Sequence, residues 1–130
     1  MHKIIQPDGW RPAKGYANGV LATGRTLYVG GQIGWTADQA FETDDFVGQV
    51  EQALKNIVAV VEAAGGTAKH IVRLTWFLID KSEYVARQGE LGAVYRDVLG
   101  RNFPAMSLFV ISGLLEDRAK VEIEATAVIP

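Results

Sequence analysis

Residues 70–80, HIVRLTWFLID, and residues 106–115, MSLFVISGLL, set the strongest constraint on how this chain can fold. Both are dense in β-branched and aromatic residues, which favour strands. Their apolar residues fall on both sides of a period-2 pattern. Val72, Leu74, Trp76 and Leu78 oppose Ile71, Phe77 and Ile79, while Met106, Leu108 and Val110 oppose Phe109 and Ile111. A third stretch, KVEIEATAVI at 120–129, sets Val121, Ile123, Ala125 and Ala127 against Glu122, Glu124 and Thr126. An open antiparallel sheet with one wet face needs apolar residues on one side only. This pattern asks for cover on two sheet faces.

The helices available can cover one of them. TDDFVGQVEQALKNIVAVVEAAGG (43–66) has Phe46, Val50, Ala53, Leu54, Ile57 and Val61 at helical spacing, with Thr43 as the expected N-cap and Gly65-Gly66 as the stop. A second helix is expected from about Ser82 to Leu99, with Tyr84, Leu91, Tyr95 and Val98 on one stripe and Gly100 ending it. Upstream, after the punctuated stretch QPDGWRPAKGY, the segment GVLATGRTLYVGGQIG (19–34) reads as two strands around Thr23-Gly24-Arg25, a hairpin signal. The last two strands are joined through Glu116-Asp117-Arg118. The expected order is β-β-α-β-α-β-β, an α+β fold with two helices on one face of a mostly antiparallel sheet. The second face then predicts a homo-oligomer, with Glu122 and Glu124 near a subunit interface.

Length and composition narrow the function. The 130 residues are expected as a single domain, 1–130, able to bury a core without staples. With 48% hydrophobic and 22% charged residues and no long apolar run or leader, a soluble, cytoplasmic protein with no membrane partner is expected. Zero cysteines exclude disulfides and thiolate chemistry. The thirteen Lys and Arg residues are scattered and the net charge is −2, which argues against a nucleic-acid partner. His2 and His70 lack metal-ligand spacing, so no metal site is expected. Chemistry is left to carboxylates, backbone groups, arginine, tyrosine or bound water.

Five separated segments together resemble the Rid family, also called the YjgF type, of reactive-intermediate imine and enamine deaminases. They are Gly15-Tyr16 with Gly19-Val20; Gly31-Gln32-Ile33; the helix end VVEAAGG; Asp80; and Phe103-Pro104-Ala105 with Val121-Glu122-Ile123-Glu124-Ala125 and Ala127. The resemblance implies a chorismate-mutase-like α+β fold and a homotrimer, with helices outside, sheets lining a central barrel and small-molecule clefts between subunits. It implies hydrolysis of imines or enamines to a carbonyl compound and ammonia without a metal or organic cofactor. Some relatives carry an older endoribonuclease label.

In the deaminating members an arginine after Pro-Ala grips the substrate carboxylate through a bidentate pair, chemistry that lysine does not reproduce. A strand glutamate positions the attacking water. By motif position that glutamate is Glu122, the catalytic residue expected here, and the ring-bearing wall residue is Tyr16. The chain departs from the pattern elsewhere. Met106 stands at the arginine position, Gly30 replaces a frequent serine, Leu108 a small polar or thiol residue, and Gly92 an asparagine. The amide of Gly31 is a further contact for a carbonyl or anion. Arg73 is the leading substitute for the lost cation and Arg101 the second.

Each assignment has a structural counterpart. Glu122 can be an interface carboxylate, Tyr16 packing, Gly30 and Gly31 a bulge, Trp76 core, and Glu124 an ion pair or surface charge. Two functions follow: a deaminase of atypical substrate, and a non-catalytic trimer that binds a small molecule in the same clefts.

Overall fold

A computed structural model describes residues 2–130. The chain runs β1 (Lys3–Ile5), β2 (Gly19–Leu21), β3 (Arg25–Ile33), α1 (Phe46–Ala63), β4 (Ile71–Leu78), α2 (Lys81–Ala86), α3 (Gln88–Leu99), β5 (Ala105–Val110) and β6 (Val121–Ile129), with a short 3₁₀ turn at Ala68–His70. The main sheet has the order β3-β6-β4-β5, antiparallel except for the parallel pair β4–β5. The strictest alternation in the sequence becomes an interior strand, β6. Its apolar set Val121, Ile123, Ala125 and Ala127 is buried against the helices. The mixed α+β class is as expected from the sequence.

Helix α1 forms where the 3.6-residue stripe predicts. Val50, Ala53, Leu54, Ile57 and Val61 are fully buried, each large side chain contributing about 2 kcal/mol of apolar burial. Its N-cap is Asp45 and not Thr43. The Asp45 carboxylate accepts from the Gly48 amide at 3.0 Å, while Thr43 Oγ1 accepts from the Asp45 amide at 3.0 Å. Gln49 is completely buried and fully bonded. Its Nε2 donates to Thr43 O and Arg118 O, and its Oε1 accepts from Lys120 N, fastening the approach to α1 onto the approach to β6.

Four expectations change. The Thr23-Gly24-Arg25 turn does not close a hairpin: β2 pairs with β1, a strand absent from the expected order, and β3 pairs with β6. β5 and β6 are consecutive but separated by β4. The second expected helix is two helices, broken at Arg87 (φ −121°, ψ 28°), whose guanidinium is drawn to Asp45 and Glu90. Three helices, not two, therefore pack with the sheet.

The fourth change concerns the second sheet face. A register shift between Ile71 and Arg73 turns Ile71 onto the helix side with Leu74, Trp76 and Leu78, and Ile79 falls beyond β4. The other face presents Arg73, Thr75, Phe77, Ser107, Phe109, Glu122, Glu124 and Thr126, mixing polar groups with aromatic rings. Phe77 and Phe109 stack there with centroids 6.0 Å apart, and Tyr28 is 80% exposed. The face is amphipathic rather than uniformly apolar. No helix among the described residues is long and apolar enough to cross a membrane.

Candidate functional site

Helix α3 packs on α1 and makes only sparse contact with the sheet. The gap between α3 and the β4–β5 side of the sheet is a cavity of about 540 Å³. Tyr16, Gly92 and Met106, three of the residues singled out by sequence, meet on its wall. Trp76 and Tyr84 stand beside them edge to face, with centroids 6.2 Å apart. Leu91, Tyr95 and Phe103 add apolar lining, Gln88 an amide, and Lys14 and Arg96 the two cations. The volume lies within the range of small-molecule sites, and the wall combines apolar rings with a few polar groups, as such sites do.

Burial raises the pKa of Tyr84 and Tyr95, so both phenols keep their protons near neutrality. Tyr95 Oη donates to Asn102 O at 2.6 Å, and Asn102 Nδ2 donates in turn to Ala68 O and Ile71 O. That chain holds the loop before β5 and with it the position of Met106. Trp76 is buried, and its enclosed indole N–H has no hydrogen-bond partner.

Glu122 occupies a different place. Alternation along β4, β5 and β6 puts Glu122 with its neighbours Phe77 and Phe109 on one sheet face, and Met106 with its neighbours Leu74 and Ala125 on the other. Between Val29 and Gln32, Gly30 and Gly31 together oppose the single residue Glu124, which is a β-bulge. The Glu122 carboxylate rests on this bulge. A Cβ at Gly31 would lie 2.5 Å from Glu122 Oε2, so any side chain there would displace the carboxylate. A Cβ at Gly30 would meet nothing within 4 Å.

The remaining residues lie outside the cavity wall, Arg73 on the sheet face of Glu122. Arg73 donates Nη2 to Ser107 Oγ at 3.3 Å and lines a shallow recess with Tyr28, Glu124 and Thr126, remote from the Met106 cavity. Leu108 packs against the core and does not line the cavity; Arg101 is exposed and also lies outside its wall. Sequence reasoning missed Arg96, Lys14 and Gln88. The readable signal for Arg96 was its i, i+4 spacing from Gly92 on one helix face.

The model of the family described as Endoribonuclease L-PSP matches residues 8–129. The chain belongs to this family, the Rid or YjgF type. A RutC family protein of Haemophilus influenzae is 34% identical over 128 residues, spanning 98% of each chain. A protein of Salmonella typhimurium named 2-iminobutanoate/2-iminopropanoate deaminase is 33% identical over 129 residues, again spanning 98% of each. Among solved structures, the Rid family protein YyfB from Yersinia pestis superposes with a TM-score of 0.88 at 28% identity, covering 98% of both chains. Membership extends over the bulge, the cavity wall and β6, so this Rid chain has its site elements inside the matched region.

Proposed function

We propose that the protein is a Rid-type hydrolase of an imine or enamine, acting as a homotrimer in the cytoplasm, each 130-residue chain forming one domain. One observation carries the reading: the glycine bulge that seats the Glu122 carboxylate, together with a ligand-sized cavity around Tyr16, Gly92 and Met106 in a family with named imine deaminases. In this reaction water oxygen bonds to the C=N carbon while Glu122 orients the water and accepts its proton. The proton passes to nitrogen to give a carbinolamine, whose hydroxyl proton then moves to nitrogen as the C–N bond breaks, releasing ammonia and leaving a carbonyl compound.

The division of the site supports assembly of more than one copy. Within one chain, Glu122 and Met106 face opposite sides of the sheet, so one small ligand reaches both kinds of surface only if a second copy supplies one of them. The exposed rings of Tyr28 and Phe109 suit such a contact. Gly31 joins Glu122 on one wall; Tyr16, Gly92 and Met106 form the other. Leu108, Gly30 and Arg73 have weaker support as ligand contacts, because none of them lines the cavity.

The test generates imines in place with an amino-acid oxidase and follows ammonia release. The wild type is expected to accelerate release, and Glu122→Gln to lower the rate roughly 100-fold with assembly unchanged. Glu124→Gln serves as the matched control near the wild-type rate. Release no faster than the spontaneous reaction, across small and aromatic imino acids, selects the second reading, a trimeric small-molecule binder. The apolar Met106 thioether is the observation that favours it.

A further inference from the structure

We infer that Arg96 on α3 supplies the carboxylate grip that Met106 does not offer from β5, and that the cavity takes carboxylates with an aromatic body. The inference builds on the imine-hydrolase reading but concerns binding, so the two can fail separately. Gly92 and Arg96 are i, i+4 on α3, and long helical side chains lean toward the preceding turn. A Cβ at Gly92 would lie 3.2 Å from Arg96 Nη1. The guanidinium is therefore folded back over the bare glycine, on the wall where Met106 stands. A side chain at position 92 would crowd it out.

The two departures from the family pattern now form one arrangement. Met106 leaves β5 without a cation, and Gly92 makes room for one from the helix. Arg96 has no ion pair or side-chain hydrogen bond among the described residues, and of the arginines so placed, Arg11, Arg25, Arg96 and Arg101, it is the one that lines the cavity. Arg87 holds Asp45 and Glu90, Arg118 holds Asp44, and Arg73 bonds Ser107 on the opposite face. An unpaired guanidinium beside an apolar cavity is suited to a carboxylate, which it can hold through two charge-assisted hydrogen bonds. Lys14 offers only a point charge on the same wall.

The body of the ligand is read from the other walls. Tyr16, Trp76, Tyr84 and Phe103 surround the cavity, and Met106 presents a polarizable sulfur suited to the edge of a ring. A volume of about 540 Å³ far exceeds what a three-carbon imino acid fills.

Calorimetry on the assembled wild-type protein tests this with 3-phenylpropionate, its amide and propionate. The expected order is 3-phenylpropionate tightest, with the amide and propionate each weaker by an order of magnitude or more. Arg96→Ala should weaken 3-phenylpropionate roughly 30-fold while leaving the amide unchanged, and Arg96→Lys should recover only part of the loss. Gly92→Asn, which leaves Arg96 intact but fills its space, should also selectively weaken the carboxylate. Equal affinity of wild type and Arg96→Ala for 3-phenylpropionate overturns the inference, as does absence of wild-type binding or equal binding of propionate. Arg96-dependent binding without ammonia release from any imine supports the inference and removes the hydrolase reading alone.

Discussion

Helices α1 and α3 share one side of the sheet but meet it differently. Helix α1 lies directly on β3 and β6, with Val50, Ala53, Leu54 and Ile57 fully buried. Helix α3 rests on α1, buries only Leu91, Tyr95 and Leu99, and leaves the cavity beneath it. Helix α3, seated on α1 and bordering the cavity, can present Gly92 and Arg96 to a ligand. The contrast separates the part of the layer that holds the fold together from the part kept open for function.

Truncations should break this symmetry of position most strongly. Leu54→Ala is expected to destabilise the protein by about 3 kcal/mol, since removing a fully enclosed side chain leaves a void. Leu91→Ala should cost about 1.5 kcal/mol, because it enlarges an existing cavity instead of creating one. Urea unfolding of both variants checks the ranking, and equal losses would mean that α3 is seated as tightly as α1.

A smaller effect tests what holds the start of α3 against α1. The hydrogen bond from Arg87 lowers the pKa of Asp45 and Glu90, aided at Asp45 by the Gly48 amide. Carboxylates depressed in the folded state contribute stability above their ordinary range and lose it as pH falls through the depressed folded values. Arg87→Ala should therefore lower Tm at neutral pH, with the gap closing in strong acid. The shift should be small, because these side chains are partly solvated. A gap that widens in acid would contradict this role for the Arg87 contacts.

What the sequence made legible follows the same division. The α1 stripe and the β6 alternation report burial on a single element, so their faces could be read directly. Ile71 was assigned to the wrong face because the register shift beside it depends on how β6 pairs. The break at Arg87 rests on an ion pair to Asp45, forty-two positions upstream, which local helical spacing does not contain. β1 has only three exposed residues, too few for a pattern. In the site, Tyr16, Gly92 and Met106 could be gathered by motif, and Gly30-Gly31 by the suspicion of a bulge. Arg96 was legible only through its i, i+4 spacing from Gly92, because an exposed helical arginine otherwise looks like solvated surface until the cavity beside it is seen.

The proposed trimer has a cleft shared by two copies of the chain, one giving Glu122 and its neighbour giving the Tyr16–Met106 cavity. Co-expression of Glu122→Gln with Gly92→Trp, which fills the cavity, tests that claim most directly. Each variant alone should form trimers and release ammonia at the background rate. Each mixed trimer would contain one intact cleft, so a random equal mixture should recover about a quarter of wild-type activity. A mixture that assembles into mixed trimers and stays as inactive as its parents would contradict the shared cleft.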